Sequence, residues 1–352
     1  MKKYQIKEVK EIYNHAGSKA VEDAYNFAKE AGYETLYIRQ RTKDTGIITL
    51  IRNQLGFWFD WVKVLFTVKK GSIVLIQNPF KRKHLGRFTI LKQLKKIKKC
   101  NIISLVHDIE ELRVSYYRDY STTEFEFMMG NSDYFIIHNG KMKNYLMEER
   151  GFAEGSLVEL GIFDYGFDGD LNDKNTPEAD VVIAGNLESQ KCPYIYKMSG
   201  LDNRFSLYLY GPNYEENNQD EYIKYCGSFP SEEVPKVLSG KYGLIWDGDS
   251  IHKCTGDTGR YLQYNNPHKT SLYLVSGIPI IIWEKAALAN FVKENNLGIT
   301  INNLEEIKEK IYAISDEEYS GMLSNVKDMS KKLQSGYHLK RALAECEKRI
   351  GA

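Results

Sequence analysis

Short segments rich in β-branched and aromatic residues, each bounded by turn residues, alternate with longer stretches at helical spacing along most of the chain. This alternation constrains the fold more than any other feature. A strand that is followed by a helix returns to pair in parallel with a neighbour, so repeated units build a mostly parallel sheet covered by helices. In the first half the pattern predicts strands over residues 3–9, 35–39, 72–77, 101–107 and 134–138, with helices such as 17–31 and 85–98 between them. It breaks at residues 164–178, DYGFDGDLNDKNTPE, which are acidic, glycine-bearing and almost free of aliphatic side chains, and read as a linker. Strands resume over 180–184, 205–210, 242–247 and 279–283, the last preceded by a helix over 268–275, and residues 316–350 read as helical throughout. With 352 residues to bury, two domains are expected. They run over 1–163 and 180–330, with the linker over 164–179 and a terminal helix over 331–352. Two doubly wound α/β domains place the C-terminal ends of their sheets around a shared cleft, where such folds bind ligands.

Composition removes several classes. Hydrophobic content of 42% with 27% charged residues describes a globular chain with a core to build, not a disordered one. The five cysteines are scattered, form no CxxC pair and have no metal-ligand spacing, so a reducing cytoplasm is expected and no metal site. The opening MKKYQIKEVKEIY is charged where a signal peptide needs apolar residues, and no long uncharged apolar run offers a membrane span. Net charge is only +1 but uneven: residues 1–170 hold 27 Lys and Arg against 22 Asp and Glu, and between Trp61 and His107 twelve cations meet no acid.

Residues able to do chemistry cluster where strands end. NHAGSKAVEDA (14–24) opens a helix after the first strand, and its amides favour an anion or polar group above Gly17; a tight turn with Ser18 as helix cap fits the same residues. VHDIEELR (106–113) crowds His107 and Asp108 with two glutamates at a strand end, either a general base for a hydroxyl nucleophile or a helix start with acids complementing its dipole. In the second half, VVIAGNLESQK (181–191) offers Gly185, Asn186 and Lys191 to a nucleotide or phosphate, and LYLYGPNYE lets a ligand lie against Gly211; a solvated lysine and an ordinary turn are the alternatives. NNPHKTSLYLVSGIPIII (265–282) sets His268 and Lys269 at the mouth of an apolar helix-strand unit, gathering positive charge and N–H donors as a diphosphate requires. Its strand delivers Glu284, whose carboxylate can accept the hydroxyls of a ribose.

Taken together, AGSKAVEDA, HDIEELR, AGNL, NNPHKTSLYLVSGIPIIIW and NFVKENNLGITI resemble the bacterial galactofuranosyltransferases of cell-surface polysaccharide synthesis and the related glucosyltransferase 3 family, from about Asn14 to Ile314. The resemblance implies a GT-B fold of two Rossmann-like domains facing a cleft, the N-terminal one binding the acceptor and the C-terminal one the nucleotide sugar. It implies hexosyl transfer, galactofuranose or glucose, from a UDP-sugar to a saccharide acceptor, with no metal and no cofactor beyond the donor. Carried over by position, Lys269 meets the donor diphosphate, Glu284 the ribose and Asn186 the donor-side turn. The related glucosyltransferase places an arginine a few residues after that turn, where this sequence offers only Lys191. Residues 249–266, long for a connection, are expected to form a mobile loop over the donor. A non-catalytic partner subunit of the same fold is the alternative reading.

The acid-free block raises a separate expectation. LGRFTILKQLKKIKK (85–99) puts residues 85, 88, 91, 94 and 97 on one helical face, either packed on its own sheet or resting on an anionic membrane. GFWFDWVKVLF (56–66) adds two tryptophans and three phenylalanines near Lys63, Lys69 and Lys70, a composition at home at a lipid interface. Residues 56–99 are therefore expected to touch the inner face of the cell membrane, where a lipid-linked acceptor would reside. A homo-oligomer is also allowed. Nucleic acid is not an expected partner, because the basic patch occupies one half only and no binding motif accompanies it.

Overall fold

Each half of the chain builds a six-stranded sheet in which every paired neighbour is parallel. The computed structural model describes residues 1–9, 16–42, 46–80, 82–113, 118–169, 177–202, 204–215 and 220–351. The first sheet comprises β1 (Lys3–Val9), β2 (Glu34–Arg39), β3 (Ile73–Asn78), β4 (Asn101–Val106), β5 (Tyr134–Ile137) and β6 (Leu157–Glu159), in the order β2-β1-β3-β4-β5-β6. The second comprises β7 (Ala179–Ala184), β8 (Leu207–Tyr210), β9 (Ile223–Tyr225), β10 (Gly240–Ile245), β11 (Ile280–Trp283) and β12 (Gly298–Ile301), in the order β12-β11-β10-β7-β8-β9. In both, strand order reverses beside the first strand of the sheet, which is the doubly wound pattern. Strands β3 and β11 are buried at every position, as continuous apolar strands covered on both faces must be. Strands β6 and β9 have three residues each, too few to show a period, and the sequence does not announce them.

The helices of the first half are α1 (Ala16–Glu30), α2 (Ile47–Thr67), α3 (Arg87–Lys96), α4 (Glu110–Arg113), α5 (Arg118–Asn131) and α6 (Gly140–Arg150). Those of the second are α7 (Pro193–Lys197), α8 (Val234–Val237), α9 (Gly256–Tyr261), α10 (His268–Val275), α11 (Ala289–Glu294), α12 (Ile307–Ala313), α13 (Asp316–Gln334) and α14 (Tyr337–Ile350). Two compact units result: Met1–His138 with Lys143–Leu160 and Leu339–Ala352, and Asn139–Met142 with Gly161–His338. In the first, α14 is tied to the sheet through Glu347, which accepts from Tyr33 Oη at 2.9 Å and pairs with Lys3 at 3.1 Å.

Three expectations are corrected. Helix α3 begins only after Gly86, which is left-handed (φ +86°) and where a Cβ would lie 2.4 Å from the Trp58 ring. Its buried face is Arg87, Ile90, Leu91 and Leu94, so Leu85 and Ile97 fall outside the helix and are exposed. The face is rotated because Arg87 is drawn inward to an ion pair with buried Glu124. The terminal helix expected over 331–352 begins instead at Tyr337, after Gly336 with φ +70°, and residues 331–334 complete α13. Residues 249–266 are not an open loop: they contain α9, bury Cys254, Tyr261 and Leu262, and fold back so that Trp246 Nε1 donates to the Ser250 carbonyl at 2.9 Å. Gly248 permits this, since a Cβ there would lie 2.2 Å from the Thr255 carbonyl oxygen.

Candidate active site

Just past the ends of four adjacent parallel strands of the second unit, β11, β10, β7 and β8, stand Glu284, Asp247, Gly185 and Gly211 respectively. Parallel order makes this juxtaposition unavoidable, because all C-terminal ends lie on one edge at ~5 Å spacing between neighbours. Gly185 and Gly211 are in close contact. A Cβ on Gly211, whose φ is +142°, would sit 1.7 Å from the Gly185 carbonyl oxygen, so no larger residue fits between the two turns. Lys269, in the first turn of α10, extends across Gly185: a Cβ added to that glycine would lie 3.6 Å from Lys269 Cδ. Its ammonium stands 3.3 Å from Asp247 Oδ1, and both side chains are about one-quarter exposed. Desolvation opposes the charge on Lys269, but Asp247, with Tyr273, outweighs it and the pKa is raised. The ammonium therefore stays charged at neutral pH.

Helix α10 is anchored on both sides of Lys269. Tyr273 is buried against Gly243 of β10, and its hydroxyl accepts from the Ala184 amide at 2.8 Å, which fixes α10 to the end of β7. Burial pushes the Tyr273 phenol up to about 12. The His268 ring stacks on Tyr165 with centroids 4.9 Å apart, and its Nε2 is 3.3 Å from the Asp164 carbonyl oxygen. Ser271 Oγ donates to the Phe163 carbonyl, and Asn266 Nδ2 to that of Gly161 at 3.0 Å. His268 is thus held among protein groups, whereas Lys269 reaches the glycine turn.

The other donor-side candidates divide. Asn186 Oδ1 accepts from Asn213 Nδ2 at 3.0 Å and from the Glu188 amide at 3.1 Å, cross-linking the two glycine turns. Lys191 is exposed and paired with Glu188 at 2.8 Å. Glu284 is exposed and has no ion-pair partner among the described residues. Beside Gly211, Tyr214 stacks on Tyr196 at 5.6 Å and lies tilted against Tyr225 at 5.2 Å, and Tyr225 Oη donates to the Gly211 carbonyl at 2.9 Å.

In the first unit, Gly17 lies in the first turn of α1, and Asn14 and His15 of its motif lie outside the described residues. His107 follows β4, its amide donating to the Asn78 carbonyl at 2.8 Å. Gln77 Nε2 donates to the Val21 carbonyl of α1 at 3.3 Å, which turns Oε1 toward His107 Nε2 at 2.6 Å. With that amide orientation Nε2 is the donor and the imidazole lone pair resides on Nδ1. Asp108 is paired with Arg113 at 3.0 Å, and Glu111 with Arg150 at 2.8 Å. Both of these carboxylates beside His107 therefore face guanidinium groups.

Residues 3–162 match the glucosyltransferase 3-like N-terminal domain, and residues 181–346 the glucosyltransferase 3-like C-terminal domain. The chain belongs to the glucosyltransferase 3-like family. This glycosyltransferase is 32% identical over 334 residues to beta-1,6-galactofuranosyltransferase WbbI of Escherichia coli (strain K12), covering 94% of each chain. It is 27% identical over 284 residues to glucosyltransferase 3 of Streptococcus gordonii, covering 80% of this chain and 81% of that one. Among solved structures, sucrose-phosphate synthase from Thermosynechococcus elongatus is similar with a TM-score of 0.66 at 11% identity, over 99% of both chains. The fold is that of the GT-B glycosyltransferases. Similarity to named transferases along nearly the whole chain favours the enzyme over a non-catalytic partner subunit.

Sequence reasoning missed three residues of this transferase that organise the candidate groups: Asp247, Tyr273 and Gln77. Asp247 had a signal, an acid directly after a buried strand, but it read as the last residue of that strand. Tyr273 and Gln77 had none, since each acts through a contact with a distant residue, Ala184 and Val21 respectively.

Proposed function

We propose that this glycosyltransferase moves a hexosyl group, galactofuranose or glucose, from a UDP-sugar to a saccharide acceptor during synthesis of a cell-surface polysaccharide or glycoprotein, at the cytoplasmic side of the membrane. The sugars are those in the names of its relatives. One observation carries the donor assignment: a charged ammonium, Lys269, extended across a glycine turn that leaves its own backbone open to a ligand. A diphosphate set against Gly185 and the first-turn amides of α10 would meet positive charge and N–H donors at once. Glu284 accepts the ribose hydroxyls, and half-buried Tyr214 beside Gly211 is the ring against which a base would rest.

In the reaction the bond from the anomeric carbon to the diphosphate oxygen breaks and a bond to the acceptor oxygen forms. The departing diphosphate gains charge, which Lys269 neutralises, so no metal is needed for that step. The acceptor hydroxyl loses its proton, and His107 receives it. Asp108, the other candidate base, is engaged by Arg113 and instead shapes the charge beside His107. Gly17 and its helix entrance hold polar groups of the acceptor, while Gly185, Asn186, Gly211, His268 and Lys191 frame the donor turn.

The test is a panel of nucleotide sugars scored by thermal shift and by transfer of labelled sugar in chelator. A UDP-hexose should raise the melting temperature and be consumed without added metal. Stabilisation by none of the panel, or transfer that stops in chelator and returns with a divalent cation, would overturn the corresponding part.

A further inference from the structure

The first unit carries a surface that sugar transfer leaves unused. Helix α2 has 21 residues and is about 31 Å long. One face is committed to the fold: Phe57, Trp61 and Val64 are buried, Asn53 Oδ1 accepts from the Arg41 amide at 2.8 Å, and Asp60 accepts from the Arg39 amide at 2.7 Å. The Asp60 carboxylate also pairs with Arg41, so the rotation of the helix about its axis is fixed. The opposite face is apolar as well. Ile48, Ile51, Leu55 and Phe59 follow one another at three- or four-residue spacing, half-buried Val62 continues the row to Phe66, and all of these except Val62 are 49–81% exposed. A contiguous apolar stripe of this length on an outer face marks an interaction surface.

Its surroundings identify the partner. Arg52 lies one turn from Ile48 and Leu55, Lys63 lies one turn from Phe59 and Phe66, and Lys69 and Lys70 follow the end of the helix. All four are exposed, and none has an ion-pair partner among the described residues. The chain between Trp61 and His107 supplies no acid to neutralise them. We propose that α2 lies flat in the interface of an anionic lipid bilayer, its outer stripe among the acyl chains and these four cations against headgroup phosphates. A second copy of the chain fits less well, because two-fold pairing of this face would set each cation against like charge with no acid to meet it. A nucleic acid would face isoleucine and phenylalanine instead of groups that read or neutralise it. The helix lies on the bilayer and does not cross it: Asn53 and Asp60 hold the inner face to the protein, and no helix among the described residues is long and apolar enough to span. The inference is independent of the donor chemistry, and it would carry the enzyme to an acceptor borne on a lipid.

Flotation of the full chain with phosphatidylglycerol–phosphatidylcholine vesicles, and with phosphatidylcholine alone, tests it. The chain should float with the anionic vesicles at low salt, at least about tenfold more strongly than with neutral ones, and high salt should weaken the binding. Ile51→Ser, Phe59→Ser and Phe66→Ser combined should lower binding at least about tenfold, because three apolar anchors are lost. Arg52→Gln, Lys63→Gln, Lys69→Gln and Lys70→Gln combined should abolish the preference for anionic vesicles. All substituted side chains are exposed, so melting temperature and transfer to a short soluble saccharide should be unchanged. Failure of the wild-type chain to float overturns the proposal, even if soluble transfer is normal. So does a dimer in sedimentation velocity that the apolar variant splits, which would give the face to a second copy, or displacement from vesicles by oligonucleotide.

Discussion

Replacing Lys269 with glutamine keeps a side chain of similar reach and removes its charge, so it separates catalysis from packing. At 3.3 Å, two unit charges in an effective dielectric of ~20 attract by about 5 kcal/mol, and desolvation offsets most of that for a pair in the ground state. Stability should therefore change little: the pair is about one-quarter exposed, Asp247 remains wetted, and the loss expected is about 1 kcal/mol. The transition state differs, because charge appears on the diphosphate as the anomeric bond opens and a preoriented donor meets it without reorganisation. Losing one such donor costs about 3–4 kcal/mol, a fall in kcat of roughly two to three powers of ten. The assay is steady-state transfer from the UDP-hexose that the thermal-shift panel selects, with a melting curve for each variant and Lys269→Arg as the charge-preserving control. The arginine variant should recover part of kcat. Should glutamine leave kcat within about threefold of wild type at unchanged melting temperature, where the electrostatic argument demands at least about a hundredfold, Lys269 does not meet the leaving group.

Gly211→Ala should displace the donor turn, because its Cβ would begin 1.7 Å from the Gly185 carbonyl oxygen in a backbone of φ +142°; a loss of about 2–3 kcal/mol in denaturant titration with weakened UDP binding is expected, and wild-type values in both would contradict the close approach. His138 is buried and its imidazole is pushed down to about 4, against 6.5 in an unfolded chain. The unfolded chain then takes up its proton first, so stability should fall as pH drops from ~6.5 to ~4, by up to about 3 kcal/mol, and level off below; His138→Gln should remove that part of the slope in denaturation at a series of pH values. Glu124→Gln leaves the buried guanidinium of Arg87 without its counter-charge, and a loss of about 3–5 kcal/mol by chemical denaturation is expected, with the paired change Arg87→Met, Glu124→Leu recovering most of it.

The central strands were legible because their residues state their own burial. IVLIQN and IIIW are apolar at most positions, and the interior of a sheet covered on both faces accommodates such runs. The donor-side candidates were legible for a related reason: glycines and a lysine placed just past such strands must fall on the C-terminal edge of a parallel sheet. Helix α3 was misplaced because periodicity counts apolar residues, whereas the buried face there is led by Arg87, whose charge is satisfied by a glutamate 37 residues away. The break at Gly336 was placed before residue 331 because the helical patterns on both sides continue through it, and only the backbone angle separates them.

The sequence by itself determined the two parallel sheets, the family, and which strand ends carry reactive groups, since β-α alternation and apolar runs are local properties that hold whatever the rest of the chain does. Only the tertiary structure decided that Lys269 lies over Gly185 and pairs with Asp247, that Asp108 is taken by Arg113, and that α2 turns a second apolar face outward. Each of these depends on which side chains meet once the helices have been packed on their sheet. A contact between residues far apart in the chain leaves no mark on the order of amino acids, and the apolar residues that α2 carries all round do not say which of its faces the fold will cover.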